Sequence, residues 1–356
     1  MEMKMSSRPA VRKRFRQLFA LGLVIPSGAA LMLSACGGQS GGGGTKTPTV
    51  AFISQGTSNS WAAQLDAVAR KTAKADGVNL VYFNGQGDAT KQLPLIDQAI
   101  AQHPDAIVLV PLGAAADTGP VERAMQMGIK VILCNSTVNT DNYTSLVNPN
   151  AATASVPLAQ WLVDKMNHKG NLLYIGGLPG NATTIAYDQG FNQVISQYPD
   201  IKVINGGNAS YSISTGKQLA ATAIASGKTF SGVWGVGGEA VTGIMQAYID
   251  AKVQPVPPIG GGAATNGILR LGIENKIEVA SLQFPPSDSK VCIDTAVKAI
   301  KGETVPKLIN ISALPEYGPI LPPLDKYYKP QYSDDLYVGT DSVLTQEELK
   351  AINLLK

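Results

Sequence analysis

From Thr49 onward the chain alternates between short, nearly continuous apolar runs and longer stretches where apolar residues return every three or four positions. "TVAFIS" (49–54), "VNLVYFN" (78–84), "AIVLVP" (106–111) and "KVILCN" (130–135) belong to the first kind and predict buried strands. Between them, 60–76 places Trp61, Leu65, Val68, Ala69 and Ala73 at helical spacing, and 90–101 and 121–127 also predict helices. The pattern then restarts. Helices are predicted over 151–168, 182–197, 216–226, 239–251, 267–274 and 287–301. Strands are predicted at "NLLYIGG" (171–177), "IKVING" (201–206), "FSGVWGV" (230–236), "PPIGG" (257–261), "EVASLQF" (278–284) and "KLINIS" (307–312). Strands apolar on both faces and separated by helices predict an α/β fold with parallel sheets covered on both sides. Two successive runs in the same order predict two similar doubly wound lobes. The tail, "LPPLDKYYKPQYSDDLYVGTD", has no clear period and reads as an ordered strap over the surface. "TQEELKAINLL" (345–355) reads as a closing helix, with Thr345 and Glu348 spaced for a capping box.

Upstream of this pattern lies a basic head of Lys4, Arg8, Arg12, Lys13, Arg14 and Arg16, then the uncharged "LFALGLVIPSGAALMLSA" (18–35). That order predicts a secretory signal over 1–35. A membrane span needs about 20 unbroken apolar residues, and Pro26, Ser27 and Gly28 interrupt this run. The run ends in "LSAC", which resembles the lipobox of bacterial lipoproteins. The resemblance implies that Cys36 becomes the first residue of the exported chain and carries a lipid. Residues 36–47, rich in glycine, would then be a flexible leash. The expected location is extracytoplasmic, anchored by lipid on the outer face of the cell membrane or in the periplasm.

The signal changes the charge picture. The whole chain carries a formal +3, but residues 1–35 hold six of the 29 Lys/Arg and one of the 26 Asp/Glu. What remains is close to −2, so no basic patch argues for nucleic acid. About 310 residues beyond the linker suffice for two lobes with their own cores. Cys134 and Cys292 are the remaining cysteines. An extracytoplasmic location permits a disulfide between them, and two free buried thiols remain equally open.

Catalytic signals are sparse. His103 and His168, the two histidines, both fall at predicted helix ends, where a surface residue is favoured by the helix dipole. No metal-ligand cluster, nucleophile elbow or phosphate loop is present, and neither metal nor cofactor is expected. "GVGGEA" (235–240) fits the loose dinucleotide fingerprint Gly-x-Gly-x-x-Ala. The acidic partner should lie about 20 positions on, at the end of the next strand; Asp250 falls inside a predicted helix instead. The turn reads better as a place where a ligand or another backbone comes close.

In open parallel sheets ligands sit beyond the carboxyl ends of the strands. Those ends carry Gln55 with Asn59 and Trp61, Asn84 with Gln86, Asn135 with Ser136, Gly237 with Gly238, and Gln283. Amides donate and accept at once, and an aromatic face covers the apolar side of a ring. This set suits a neutral polyhydroxylated molecule.

From Thr49 to Ser312 the chain resembles the ribose-type periplasmic sugar-binding proteins of the type I fold. Its opening segment, from "VAFISQGTSNSW" to "LPLIDQAI", is similar to that family's opening throughout. The family's turn asparagine and first stacking aromatic match Asn59 and Trp61, and its strand-end serine matches Gln55. "VILCNS" matches a segment that usually ends in Asp-Arg, so Asn135 and Ser136 stand in place of charged sugar ligands. "AYDQGF" carries Tyr187 where an arginine is usual, and "ASYSISTGKQL" places Tyr211 where a second aromatic stacks. "GVGGEA" matches an Asn-Asp segment, here Gly237 and Gly238. "IGGGAA" has Gly262 in place of an aspartate, and "ASLQFP" keeps the hinge-side glutamine as Gln283. Two arginines and two aspartates are therefore missing, which implies a neutral, roomier pocket lined by aromatics and amides.

The resemblance also implies the architecture: a first lobe of 48–147 with 285–312, a second of 148–284 with 313–356, and crossings near Asn148, Phe284 and Ala313. It implies a non-catalytic binder of a small-molecule solute, a sugar or polyol, that closes about its hinge and serves the permease subunits of an ABC importer. A receptor for a membrane kinase or chemoreceptor, or a binder of a non-sugar neutral or aromatic solute, is the alternative. An enzyme would need the "GVGGEA" turn to hold a nucleotide, and a repressor would need a DNA-binding helix pair before Thr49.

Overall fold

The computed structural model describes residues 46–56, 59–313 and 317–356. The expected signal segment, Cys36 and the linker up to residue 45 lie outside the described residues. Along the chain run β1 (Thr49–Ser54), α1 (Ser60–Ala75), β2 (Asn79–Asn84), α2 (Ala89–Ala101), β3 (Ala106–Leu109), α3 (Thr118–Gln126), β4 (Lys130–Cys134) and β5 (Ser145–Asn148). The second series is α4 (Ala151–Lys165), β6 (Gly170–Gly176), α5 (Ala182–Ile195), β7 (Ile201–Asn208), α6 (Ile213–Ala225), β8 (Gly232–Gly235), α7 (Gly238–Asp250), β9 (Ile259–Ala263), α8 (Asn266–Asn275) and β10 (Val279–Gln283). Then follow α9 (Asp288–Ile300), β11 (Leu308–Asn310), β12 (Gly318–Ile320) and α10 (Gln346–Ala351).

Two six-stranded sheets result, in the orders β11-β5-β4-β3-β1-β2 and β12-β10-β9-β8-β6-β7. All neighbours are parallel except β12, which runs antiparallel to β10. The centre of the first sheet is apolar on both faces because helices cover both: Val50, Phe52 and Ile53 of β1 are fully buried, as are Val108 and Leu109 of β3. The corresponding strands of the second sheet, β6 and β8, bury Leu172, Leu173, Val233 and Trp234 to the same degree. The two series thus wind in the same order, as the sequence pattern predicts.

The helices begin where the side chains can satisfy their first N–H groups. Asn59 caps α1, Asp88 caps α2, Asn181 caps α5, Ser212 caps α6 and Thr265 caps α8. Thr345 and Glu348 form the predicted capping box on α10. Ser212 explains why α6 starts at Ile213 rather than at 216. β5 and β12 have no counterpart in the sequence reading: each is only three or four residues long, too short for alternation or a continuous apolar run to mark it.

The chain leaves the first sheet after Asn148, leaves the second after Gln283 and passes back between Asn310 and Gly318. Helix α4 packs on β8, β9 and β10, and α9 packs on β3, β4 and β5. Cys134, the last residue of β4, is bonded to Cys292 in α9, with Cα atoms 5.9 Å apart. This pins a helix that arrives late in the chain to a strand 158 positions earlier.

The tail touches helices of both halves. On one side the Gln64 side chain of α1 donates to Asp335 O at 2.7 Å and accepts from Tyr337 N–H at 3.1 Å. Lys71 of α1 pairs with Glu348 at 2.6 Å, and Val68 packs among Tyr332, Leu336, Leu344 and Leu349. On the other side the Asn266 amide of α8 donates to Lys329 O and Tyr332 O, and Arg270 forks onto Asp334. No helix among the described residues is long and apolar enough to cross a membrane.

Candidate functional site

The carboxyl ends of both sheets face one shared cleft. From the first sheet's side it receives Gln55 after β1, Asn59 and Trp61 at the start of α1, Val110 and Pro111 after β3, and Asn135 and Ser136 after β4. From the second it receives Asn181, Thr183 and Tyr187 around the start of α5, Tyr211 before α6, and Gly237, Gly238 and Glu239 at the β8–α7 turn. Ala263, Phe284 and Tyr337 complete the lining.

Nine of the positions singled out in the sequence are brought together here. Four are not. Asn84, at the end of β2, and Gln86 turn onto each other instead, the Gln86 N–H donating to Asn84 Oδ1 at 2.9 Å. Gly262 lies beneath the β8–α7 turn, where a Cβ would meet Gly237 O at 2.7 Å, and its neighbour Ala263 lines the cleft instead. Gln283 ends β10 with its amide nitrogen toward Gly339 of the tail, and the next residue, Phe284, supplies the cleft wall. The cleft residue thus stands one position beyond the one the sequence reading names.

The aromatic wall is built from separated segments. Trp61 stacks on Phe284, with centroids 5.7 Å apart and planes 22° from parallel, and its indole N–H reaches Phe284 O at 3.4 Å. Tyr187 is only 4% exposed, and burial holds its hydroxyl well above the usual phenol range. The Tyr211 hydroxyl donates to Asn181 Oδ1 at 3.3 Å and can then accept from Thr184 Oγ1 at 2.7 Å. Its ring covers Gly237, where a Cβ would meet Tyr211 Cδ1 at 2.6 Å. At Gly238 a Cβ would lie 2.3 Å from Ala263 O and 3.1 Å from the Tyr337 hydroxyl. The two glycines therefore give up their side chains so that two tyrosines from elsewhere fill the turn. Those tyrosines also cover the α7 N-terminus, where the dinucleotide reading would seat a phosphate.

Polar groups on the first sheet's side are poised for an incoming partner. Asn59 spends its carbonyl oxygen on the Ala62 N–H at 2.9 Å, which leaves its NH₂ to offer. Asn135 is 5% exposed, with φ 67°, and its Oδ1 has no hydrogen-bond partner; Ser136 Oγ has none either. Buried polar atoms are normally paired, so these two point to a ligand or to ordered water. Beneath Asn135 sits the fully buried Asp288, pushed up to about 8 by burial, against which the Asn135 side chain and the Ser289 N–H act.

Sequence reasoning passed over Glu239, Asn181, Thr183, Phe284, Ala263 and Tyr337. Glu239 lies inside "GVGGEA", a stretch whose sequence signal is carried by its glycines. It is 8% exposed, its Oε1 has no partner, and burial pushes its carboxyl up to about 7. The Tyr337 hydroxyl, its own N–H and the Trp61 N–H act against that burial, while Asp335 adds to it. Among the described residues no group of His, Cys, Asp and Glu could hold a metal ion.

Comparison with known proteins agrees with this architecture. The chain matches the periplasmic binding protein domain over residues 50–304. It is 28% identical over 234 residues to the xylitol-binding protein of Mycolicibacterium smegmatis, covering 65% of this chain and 67% of that one. It is 25% identical over 280 residues to the galactofuranose-binding protein YtfQ of Escherichia coli, covering 76% and 88%. Among solved structures, a galactofuranose-binding protein superposes with a TM-score of 0.71 at 25% identity, covering 77% of this chain and 95% of that one. A solute-binding protein of an ABC transporter from Mycobacterium smegmatis, with bound glycerol, superposes at 0.74 and 20% identity, covering 82% and 99%, a likeness of fold. With paired parallel sheets, three passages between them and one shared cleft, the chain belongs to the periplasmic binding protein domain family.

Proposed function

We propose that the protein is an extracytoplasmic solute receptor that captures a sugar or polyol between its two lobes and delivers it to the permease of an ABC importer. The observation that carries this reading is the shared cleft. Both sheets end on it, five aromatic rings wall it, and Asn135 and Ser136, which line it, each hold a buried side-chain oxygen with no hydrogen-bond partner. The relatives named for xylitol and galactofuranose support the solute class. The roles of Gln55, Asn59, Trp61, Asn135, Ser136, Tyr187, Tyr211, Gly237 and Gly238 as ligand contacts, and the lobe limits of 48–147 with 285–312 against 148–284 with 313–356, belong to the same reading. So does Cys36 as the lipidated anchor. The protein acts as a binder and not as a catalyst. Solute stabilises the closed arrangement in proportion to its differential affinity for it, and hinge motion of the lobes supplies the signal that a permease reads.

A thermal-shift panel of pentoses, hexoses and polyols tests this. Ligand at about 1,000 times its Kd adds roughly 4 kcal/mol, which raises the midpoint by on the order of 10 °C in a chain of this size. A shift of that size with one sugar or polyol is expected. A flat response across the carbohydrates, with a shift for a nucleotide, would overturn the reading.

A further inference from the structure

The charge balance of the cleft narrows the solute further, on the basis of the receptor reading above. Among the described residues that line it there is no Lys, Arg or His, and one carboxylate, Glu239. That carboxylate is nine-tenths buried with Oε1 unpartnered. Ionising this acid in the cleft is costly unless a cation arrives, even with its own N–H, the Tyr337 hydroxyl and the Trp61 N–H acting on the carboxyl. The outer groove that continues from the cleft past Glu239 adds Asp335 to the same side. Among its described residues the one cation, Lys217, is paired with Asp250 at 2.6 Å. Around this acidic spot stand Tyr211 and Tyr337, with Trp61, Tyr187 and Phe284 completing the wall. Aromatic faces attract a desolvated cation through their quadrupoles. A neutral hydroxyl can donate to Oε1 of the protonated acid, but only a cation compensates its ionised form.

We infer that the solute carries a protonated amine, an amino sugar or amino-polyol, whose ammonium is seated on Glu239 against the aromatic wall. Asn59, Asn135 and Ser136 on the opposite wall take the hydroxyls. In the empty cleft burial favours the protonated acid; a cation beside it returns the carboxylate to its ionised form.

The test is a calorimetric titration with matched pairs that differ by one group: glucosamine against glucose, galactosamine against galactose, and an inosamine against myo-inositol. At pH 7.5 the amine of at least one pair is expected to bind at least tenfold more tightly than its neutral partner. Glu239→Gln should reduce that advantage to threefold or less, and Glu239→Asp should keep most of it. Unchanged thermal midpoints and intact disulfides in both variants show that they fold. Neutral members that bind as well as their amines would overturn the amine and leave the receptor standing. Amines that keep their full advantage in Glu239→Gln would overturn Glu239 as their partner. No binding by any pair would count against both readings.

Discussion

Asn135 holds a left-handed backbone position that few non-glycine residues adopt, and its neighbours keep it there. Its N–H donates to Val147 O at 2.8 Å and its carbonyl accepts from the Asn148 amide at 3.3 Å. Asn135→Ala removes a buried hydrogen-bonding group worth about 1–3 kcal/mol to a bound solute, so calorimetry should show affinity falling by roughly tenfold to a hundredfold. Gly238→Ala should act through packing. A Cβ 2.3 Å from a main-chain oxygen cannot be relieved by a side-chain rotation, so a loss of about 1–3 kcal/mol of stability is expected in chemical denaturation. Asp288 makes a prediction about pH. Burial pushes its carboxyl from 3.8 up to about 8. Between those values the folded chain holds a proton that the unfolded chain has released, so this contribution to stability falls as pH rises through that window. Thermal midpoints of the ligand-free protein should drop from pH 5 to pH 8, and Asp288→Asn should flatten the slope.

The elements that carry these residues were legible to different degrees. β1, β3 and β4 announce themselves because helices on both faces demand unbroken apolar runs, and apolar spacing marks α1 from Ser60, whereas the start of α6 at Ile213 escapes because it rests on the Ser212 cap. β5 and β12 escape because three or four residues carry no period. Glu239 was visible as a letter and invisible as a site, because only the fold closes α1 and Tyr337 over it. The disulfide, left open by the sequence, is an element-scale clamp. It joins β4, directly before Asn135, to α9, which begins with Asp288. Closing a loop of that length removes about 5 kcal/mol of unfolded-state freedom in the chain-entropy view. Cys292→Ser should lower the unfolding free energy by up to that amount in denaturant titrations.

At the scale of the whole molecule the tail is the least predictable part, because its contacts join residues more than 270 positions apart, as between Gln64 and Tyr337. It places one tyrosine in the cleft and braces α1 and α8 together. The central claim is that solute binds in this cleft between the two sheets. Of the three tryptophans, Trp61 lines the cleft, Trp234 is fully buried and Trp161 is partly buried in the packing around α4. The most direct measurement is a tryptophan-fluorescence titration with the solute that gives the largest thermal shift, in the native protein and in Trp61→Phe. A saturable change that disappears in the variant, while its thermal shift persists, is the predicted result. A saturable change of full amplitude in Trp61→Phe would place the solute elsewhere and contradict the account.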